Sequence, residues 1–339
     1  MNGSNQMQSR AVVFTGPRQV EIEEITVGDP GEGQVQTETL VTLMSMGTEL
    51  ICYRAESDPG THWHGWVRHP FYPGYSAVGR VTRLGSGVEG IAEGDRVFYA
   101  GGHRGAANVG MGGGHTVRVP DGVSSEEAAW CKLATIVQTG VRQVEHGMGD
   151  TAVIIGLGPL GQLMTQYLRL LGLSEILAID HLQARLDTAT SHGATATFCG
   201  SAADAGEFVS DHTDGELADA VYDVTGHPAV FAMALPLARR FGTVMLQGDC
   251  PHPSKQHLTF DVLTRQLRVL GTHNEALPPK LARWTAEKQA ALYLRYVERG
   301  QMQTGDLITH RHKPEEAPEV YARLDADRGN SAGVVFDWQ

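Results

Sequence analysis

The sequence predicts an α/β protein made of a β-rich, barrel-like unit followed by a doubly wound parallel sheet, with a tail that returns to the first unit. Three observations carry this. From Arg10 to about Pro120, short β-branched runs are broken by Gly and Pro. From Thr151 to about Thr272, apolar strand-like runs alternate with helical stretches, the signature of a parallel sheet covered on both faces. The last run, AGVVFDW, is a strand with no sheet of its own nearby. A chain of 339 residues has room for roughly two domains, and the expected division is 1–145, 146–274 and 275–339.

In chain order, the β-rich part reads AVVFTG, QVQTETLVTL, YSAVGRVTRLG, DRVFYAGG and HTVRVPDG. Between the second and third runs, Met46-Gly47-Thr48-Glu49 has the look of a helix start. The Thr48 hydroxyl can cap a free N–H, and Glu49 suits the first-turn dipole. SSEEAAWCKLATIVQTGVRQV is a helical bridge opened by Ser125 with Glu126 and Glu127 in its first turn. The alternating part runs TAVIIG, LGQLMTQYLRLLG, EILAID, a helix to His192, LADAVYDV and GTVMLQG. The tail has a helix in WTAEKQAALYLRYVERG and a second starting at Pro314.

The 27 Lys and Arg against 39 Asp and Glu give a net charge of −12, which disfavours nucleic acid and anionic membranes as partners and favours a small-molecule substrate. The start MNGSNQMQSR lacks the apolar core of a signal peptide, so a cytoplasmic location is expected. Cys52, Cys131, Cys199 and Cys250 form no CxxC pair, which argues for free thiols.

Gly156-Leu157-Gly158-Pro159-Leu160-Gly161 follows the run TAVII and opens a helix. In that context the glycines serve a tight turn, close approach of a pyrophosphate, and helix-on-strand packing. Asp180 ends the next strand, where a carboxylate bonds ribose hydroxyls and repels a 2′-phosphate. NAD is therefore expected over NADP, although Arg185 nearby could accommodate a phosphate. Thr225-Gly226 and Gly248 end later strands and either line a nucleotide crevice or merely turn the chain.

The order of the units, together with GLGPLGQL, PGYSAVGRVTRLGSGVEGIAEGDRVF and DVTGHPAVFAMAL, resembles the medium-chain dehydrogenase/reductase superfamily along nearly the whole length. The resemblance implies a GroES-like catalytic domain, a Rossmann NAD-binding domain and a homodimer formed near Arg268–Thr272. It also exposes a departure from the zinc alcohol dehydrogenases. Met46 stands where a cysteine ligand is usual, and Gly74-Tyr75-Ser76 replaces a Gly-His-Glu motif. Cys131 alone remains near the third ligand, and the segment from Tyr99 to Gly114 holds no cysteine for a structural-zinc lobe. No metal is expected; His62, His64, His69, His103 and His115 are read as cleft lining before they are read as a new metal site. The Gly-Thr-Glu turn followed by Pro-Gly-Tyr is most similar to the branch that contains bacteriochlorophyllide hydroxyethyl dehydrogenases.

By this resemblance Thr48 meets the substrate oxygen, Tyr75 donates into the space the metal leaves or simply fills it, and Glu49 acts as a base or in a structural ion pair. Tyr53, His62, Trp63, Trp66 and Cys131 are expected to shape the substrate pocket. The expected activity is zinc-independent hydride transfer between NAD(H) and a secondary alcohol or ketone of a cyclic, polyol or sugar-like metabolite. Reduction of activated C=C bonds in enones or quinones with NAD(P)H, and dinucleotide binding without catalysis, are the alternatives.

Overall fold

The computed structural model describes residues 6–112, 116–329 and 331–339; His115 lies outside them. The chain divides into two units, one formed by Met1–Leu133 with Trp284–Gln339 and the other by Ala134–Arg283. The first division falls inside the helix Cys131–Val144 rather than at 145. Beyond Leu133 that helix is tied to the second unit, through Gln247 Nε2 on the Ile136 carbonyl (3.1 Å) and Gln138 Nε2 on Tyr167 Oη (3.0 Å). The stretch after 274 also stays with the second unit, held by Thr135 on Glu275 (3.0 Å) and Lys280 on Glu145 (2.8 Å).

In the first unit, Met7–Gly16 and Gln19–Val27 form an antiparallel pair. A seven-stranded sheet is built around Gln34–Leu43, which pairs antiparallel with Ala77–Leu84, Ala106–Gly110 and Gly333–Asp337. The terminal strand sets Val335, Phe336 and Asp337 opposite Leu43, Thr42 and Val41. Four of its five residues are buried, so its apolar run is used on both faces. The core beneath joins Phe14, Met46, Leu50, Tyr53, Tyr321 and Phe336, residues drawn from both ends of the chain.

The second unit is a six-stranded, all-parallel sheet of Rossmann type. Its strands lie in the order Ala196–Cys199, Glu175–Asp180, Thr151–Ile155, Ala218–Asp223, Ala238–Leu246 and Arg268–Gly271. The order reverses between Thr151–Ile155 and Ala218–Asp223, which opens a crevice at the carboxyl ends of those strands. The helix Pro159–Leu171 begins there, with Gly158 as its cap and Pro159 in its first turn, and ends at Gly172 in the left-handed region. Among the described residues no helix is long and apolar enough to cross a membrane.

Candidate functional site

The helix Met46–Arg54 follows the strand Gln34–Leu43 after two residues, and Ser45 occupies its cap position without a side-chain cap bond. Thr48 does not cap either. The free backbone donor is met instead by Glu49, whose Oε1 accepts the Ser45 N–H at 2.7 Å. This leaves two hydroxyls, three residues apart and so on one edge of the helix, for another partner. Tyr75 supplies it: its phenol bonds Ser45 Oγ and lies 3.2 Å from Thr48 Oγ1. All three residues are half-buried. Burial pushes the Tyr75 phenol up, the bonds to Ser45 and Thr48 offset only part of this, and Glu49 adds to it. At neutral pH the group is a protonated donor.

Glu49 itself is buried with both oxygens in use. Its Oε2 bonds His103 Nε2 (2.9 Å) and accepts the Tyr321 hydroxyl. The other His103 nitrogen bonds Thr42 Oγ1 (2.7 Å), which also accepts the Trp338 indole N–H (3.1 Å). Burial, and then the Glu49 charge, hold the Tyr321 phenol well above its ordinary value. A carboxylate so enclosed is a fixed anchor that orients the helix start, with no open lone pair turned to solvent. Ser45, Thr42, Tyr321 and Trp338 carried no motif that singled them out, and His103 stood only among the scattered histidines.

The other positions of the usual zinc set are built differently. Met46 packs its thioether into the core of the first unit, and Cys131 is fully buried, its thiol pushed well up by desolvation. Tyr53, expected at the pocket, lies in the aromatic core instead, stacked on Tyr321 at 5.7 Å and edge-on to Phe14 at 5.7 Å. Residues 46, 50 and 53 share one helix face, and the core claims that face. Trp63 is buried, with the exposed His62 ring 4.8 Å away and the exposed Trp66 ring 5.8 Å away.

In the second unit the turn is shaped by missing side chains. Gly156 has φ +95°, and a Cβ there would meet Thr225 Cγ2 at 2.8 Å. A Cβ on Gly161 would lie 2.1 Å from the Gly156 carbonyl oxygen. At Gly158 nothing among the described residues lies within 4 Å of such an atom, which leaves the open backbone a phosphate needs. Leu160 sits in the first turn of the helix. Asp180 accepts the Leu157 N–H (2.7 Å) and the Leu182 N–H (2.9 Å), each oxygen keeping lone-pair capacity, and Arg185 stands 3.7 Å away. Gly226 (φ +66°) and Gly248 press together: a Cβ on Gly248 would lie 2.3 Å from the Gly226 nitrogen. Asp223 beneath them bonds Thr225 through its N–H (2.9 Å) and hydroxyl (2.6 Å).

Residues 159–286 match the family model described as "Zinc-binding dehydrogenase". An alcohol dehydrogenase of Moraxella sp. is 27% identical over 77% of this chain and 83% of its own length. The 2-desacetyl-2-hydroxyethyl bacteriochlorophyllide A dehydrogenase of Cereibacter sphaeroides is 25% identical over 98% of this chain and 99% of its own. Among solved structures, a zinc-binding-dehydrogenase-type protein from Sinorhizobium meliloti bound to NADP superposes with a TM-score of 0.81 at 22% identity, covering 98% of this chain and 99% of its own. Fold, glycine turn and relatives agree and support placing the chain in the medium-chain dehydrogenase/reductase superfamily.

Proposed function

We propose that this chain is a zinc-independent dehydrogenase that exchanges a hydride between NAD(H) and a secondary alcohol or ketone of a cyclic, polyol or sugar-like metabolite. The observation that carries the reading is the Ser45–Tyr75–Thr48 hydroxyl cluster, in which Tyr75 stands where the superfamily resemblance implies a ligand histidine. A thioether in the core, a hydrogen-bonded phenol and one buried thiol do not fit zinc, which takes three His, Cys or carboxylate ligands and an open position.

In this reading Thr48 and Tyr75 are the catalytic residues. During reduction, Thr48 Oγ1 donates its proton to the substrate oxygen as Tyr75 passes a proton to Thr48, and Ser45 returns one to the phenol from solvent. Oxidation runs the same relay backwards. Donors already in place where negative charge develops replace the role of a Lewis acid. Glu49 and His103 are positioning residues that hold the helix start. The nicotinamide, when bound, supplies or takes the hydride. Gly156, Gly158, Pro159, Leu160 and Gly161 hold its pyrophosphate against the helix N-terminus. Asp180 takes the ribose hydroxyls, and the turns at Thr225, Gly226 and Gly248 close the crevice.

The test is turnover by metal-analysed protein on a panel of secondary alcohols with NAD and with NADP, before and after chelation. Activity that survives chelation and prefers NAD is expected; activity that tracks bound zinc overturns the metal-free part. Arg185 beside Asp180 favours one rival, NADPH-linked reduction of enones or quinones. Faster NADPH consumption with those substrates than alcohol turnover would select it.

A homodimer through the sheet edge at Arg268–Gly271 belongs to the same proposal. Near that edge strand in sequence, Phe260 (75%) and Leu263 (81%) are strongly exposed. Light scattering of a Leu263→Lys variant, expected to be monomeric, tests it.

A further inference from the structure

On the helix Met46–Arg54, Ile51 follows Thr48 by three residues on the same face. Ile51 lines a pocket of about 290 Å³ whose wall also carries Trp63, His64, Arg68 and His69. Glu56, the acid in that wall, is taken by Arg18 at 2.9 Å. The Arg68 guanidinium bonds only the Gly65 carbonyl, at 3.2 Å, and meets no carboxylate among the described residues. Among the described residues His69 Nε2, a buried atom, has no hydrogen-bond partner, a condition that native proteins normally relieve with a ligand, ion or water.

A planar guanidinium fork, two imidazoles and an indole wall, with the nearby acid already neutralised, have the chemistry of a small oxyanion site. We propose that this pocket binds a carboxylate or phosphate group carried by the substrate. The inference rests on the dehydrogenase reading and narrows its substrate class to anionic hydroxy compounds. At a rise of 1.5 Å per residue, the pocket wall from Ile51 to Ala55 begins about 5 Å and ends about 10 Å along the helix axis from Thr48. The anionic group therefore lies a short chain away from the oxygen that Thr48 holds.

The experiment follows the ring signals of His64 and His69 in the full chain, ¹⁵N-labelled at histidine and assigned through H64Q and H69Q. Inorganic phosphate and acetate are the probes, each titrated with and without saturating NADH. Saturable shifts that persist with NADH are expected, and the tighter probe tells phosphate from carboxylate. Arg68 is exposed, so R68Q should fold, and it should weaken binding roughly 10–100-fold. Silence of both rings to both probes, unchanged binding in R68Q, or loss of the shifts with NADH overturns the proposal; the last would give the pocket to the cofactor. Because the readout needs no turnover, saturable shifts in a protein that oxidises no alcohol would keep the oxyanion site and remove the dehydrogenase reading.

Discussion

The helix start at Ser45–Glu49 and the helix start at Gly158–Gly161 both follow a strand, yet they are built on opposite principles. At Gly158–Gly161 the shape comes from side chains that are absent: a Cβ would strike backbone at Gly161, and open space remains at Gly158. At Ser45–Glu49 the features are side chains, and beyond the local bond from the Ser45 N–H to Glu49 their partners are distant: Tyr75 for the hydroxyls, and His103 and Tyr321 for the carboxylate. Where backbone meets backbone, at Gly161, there is no room for an addition. A site made of side chains tolerates no deletions.

Adding to the backbone-built site should give the largest effect. Gly161→Val forces its side chain against the Gly156 carbonyl and should cost about 3 kcal/mol of stability or more. NADH fluorescence titration and urea melts should show both affinity and stability collapsing; an unaffected variant would mean the turn can relax, and the contrast fails. Deleting from the other site comes next: Thr48→Ala should lower kcat by about 10²–10³ while NADH affinity holds. An unchanged kcat would move the proton to another group.

Glu49→Gln should lower stability by about 1–3 kcal/mol, because an amide cannot accept from the Ser45 N–H, His103 and Tyr321 together. If its kcat falls no further than its folded fraction, Glu49 is an anchor only. The smallest effect concerns pH. Burial, only partly offset by Asp150, holds His146 below the ordinary histidine value, and its Nε2 meets Tyr222 Oη at 2.6 Å. The unfolded chain therefore binds this proton first. The His146 contribution is complete above about pH 6.5 and is lost as pH falls toward the folded value. His146→Gln should flatten that acid-side slope in melts run across the window; an unchanged slope assigns it to another group.

The same contrast decided what could be read in advance. The glycine turn, its flanking strand and Asp180 are consecutive in the sequence, so their periodicity and spacing announced them. Met46 and Tyr75 were legible as departures from the superfamily's pattern. The Glu49 network was not, because its members lie 54 and 272 residues away and become neighbours only once the first unit is folded. Tyr53 misled for a related reason: its place beside a histidine-rich loop suggested a pocket, whereas its register with Met46 and Leu50 turned it to the core. The division at Leu133 was hidden inside an unbroken helix, since nothing in CKLATIVQTGVRQV changes where its packing partners do.

The return of Gly333–Asp337 to the strand Gln34–Leu43 also orders events in time. On the ribosome, every strand of the Rossmann-type unit emerges before the strand that completes the first unit's sheet. The dinucleotide-binding half can reach its folded form while the hydroxyl-bearing half still waits for its last strand. A chain stopped shortly before Gly333 would keep Ser45, His103 and Tyr321 around Glu49 but lack Phe336, whose ring packs on His103, and Trp338, which donates to the Thr42 hydroxyl on the other side of that imidazole.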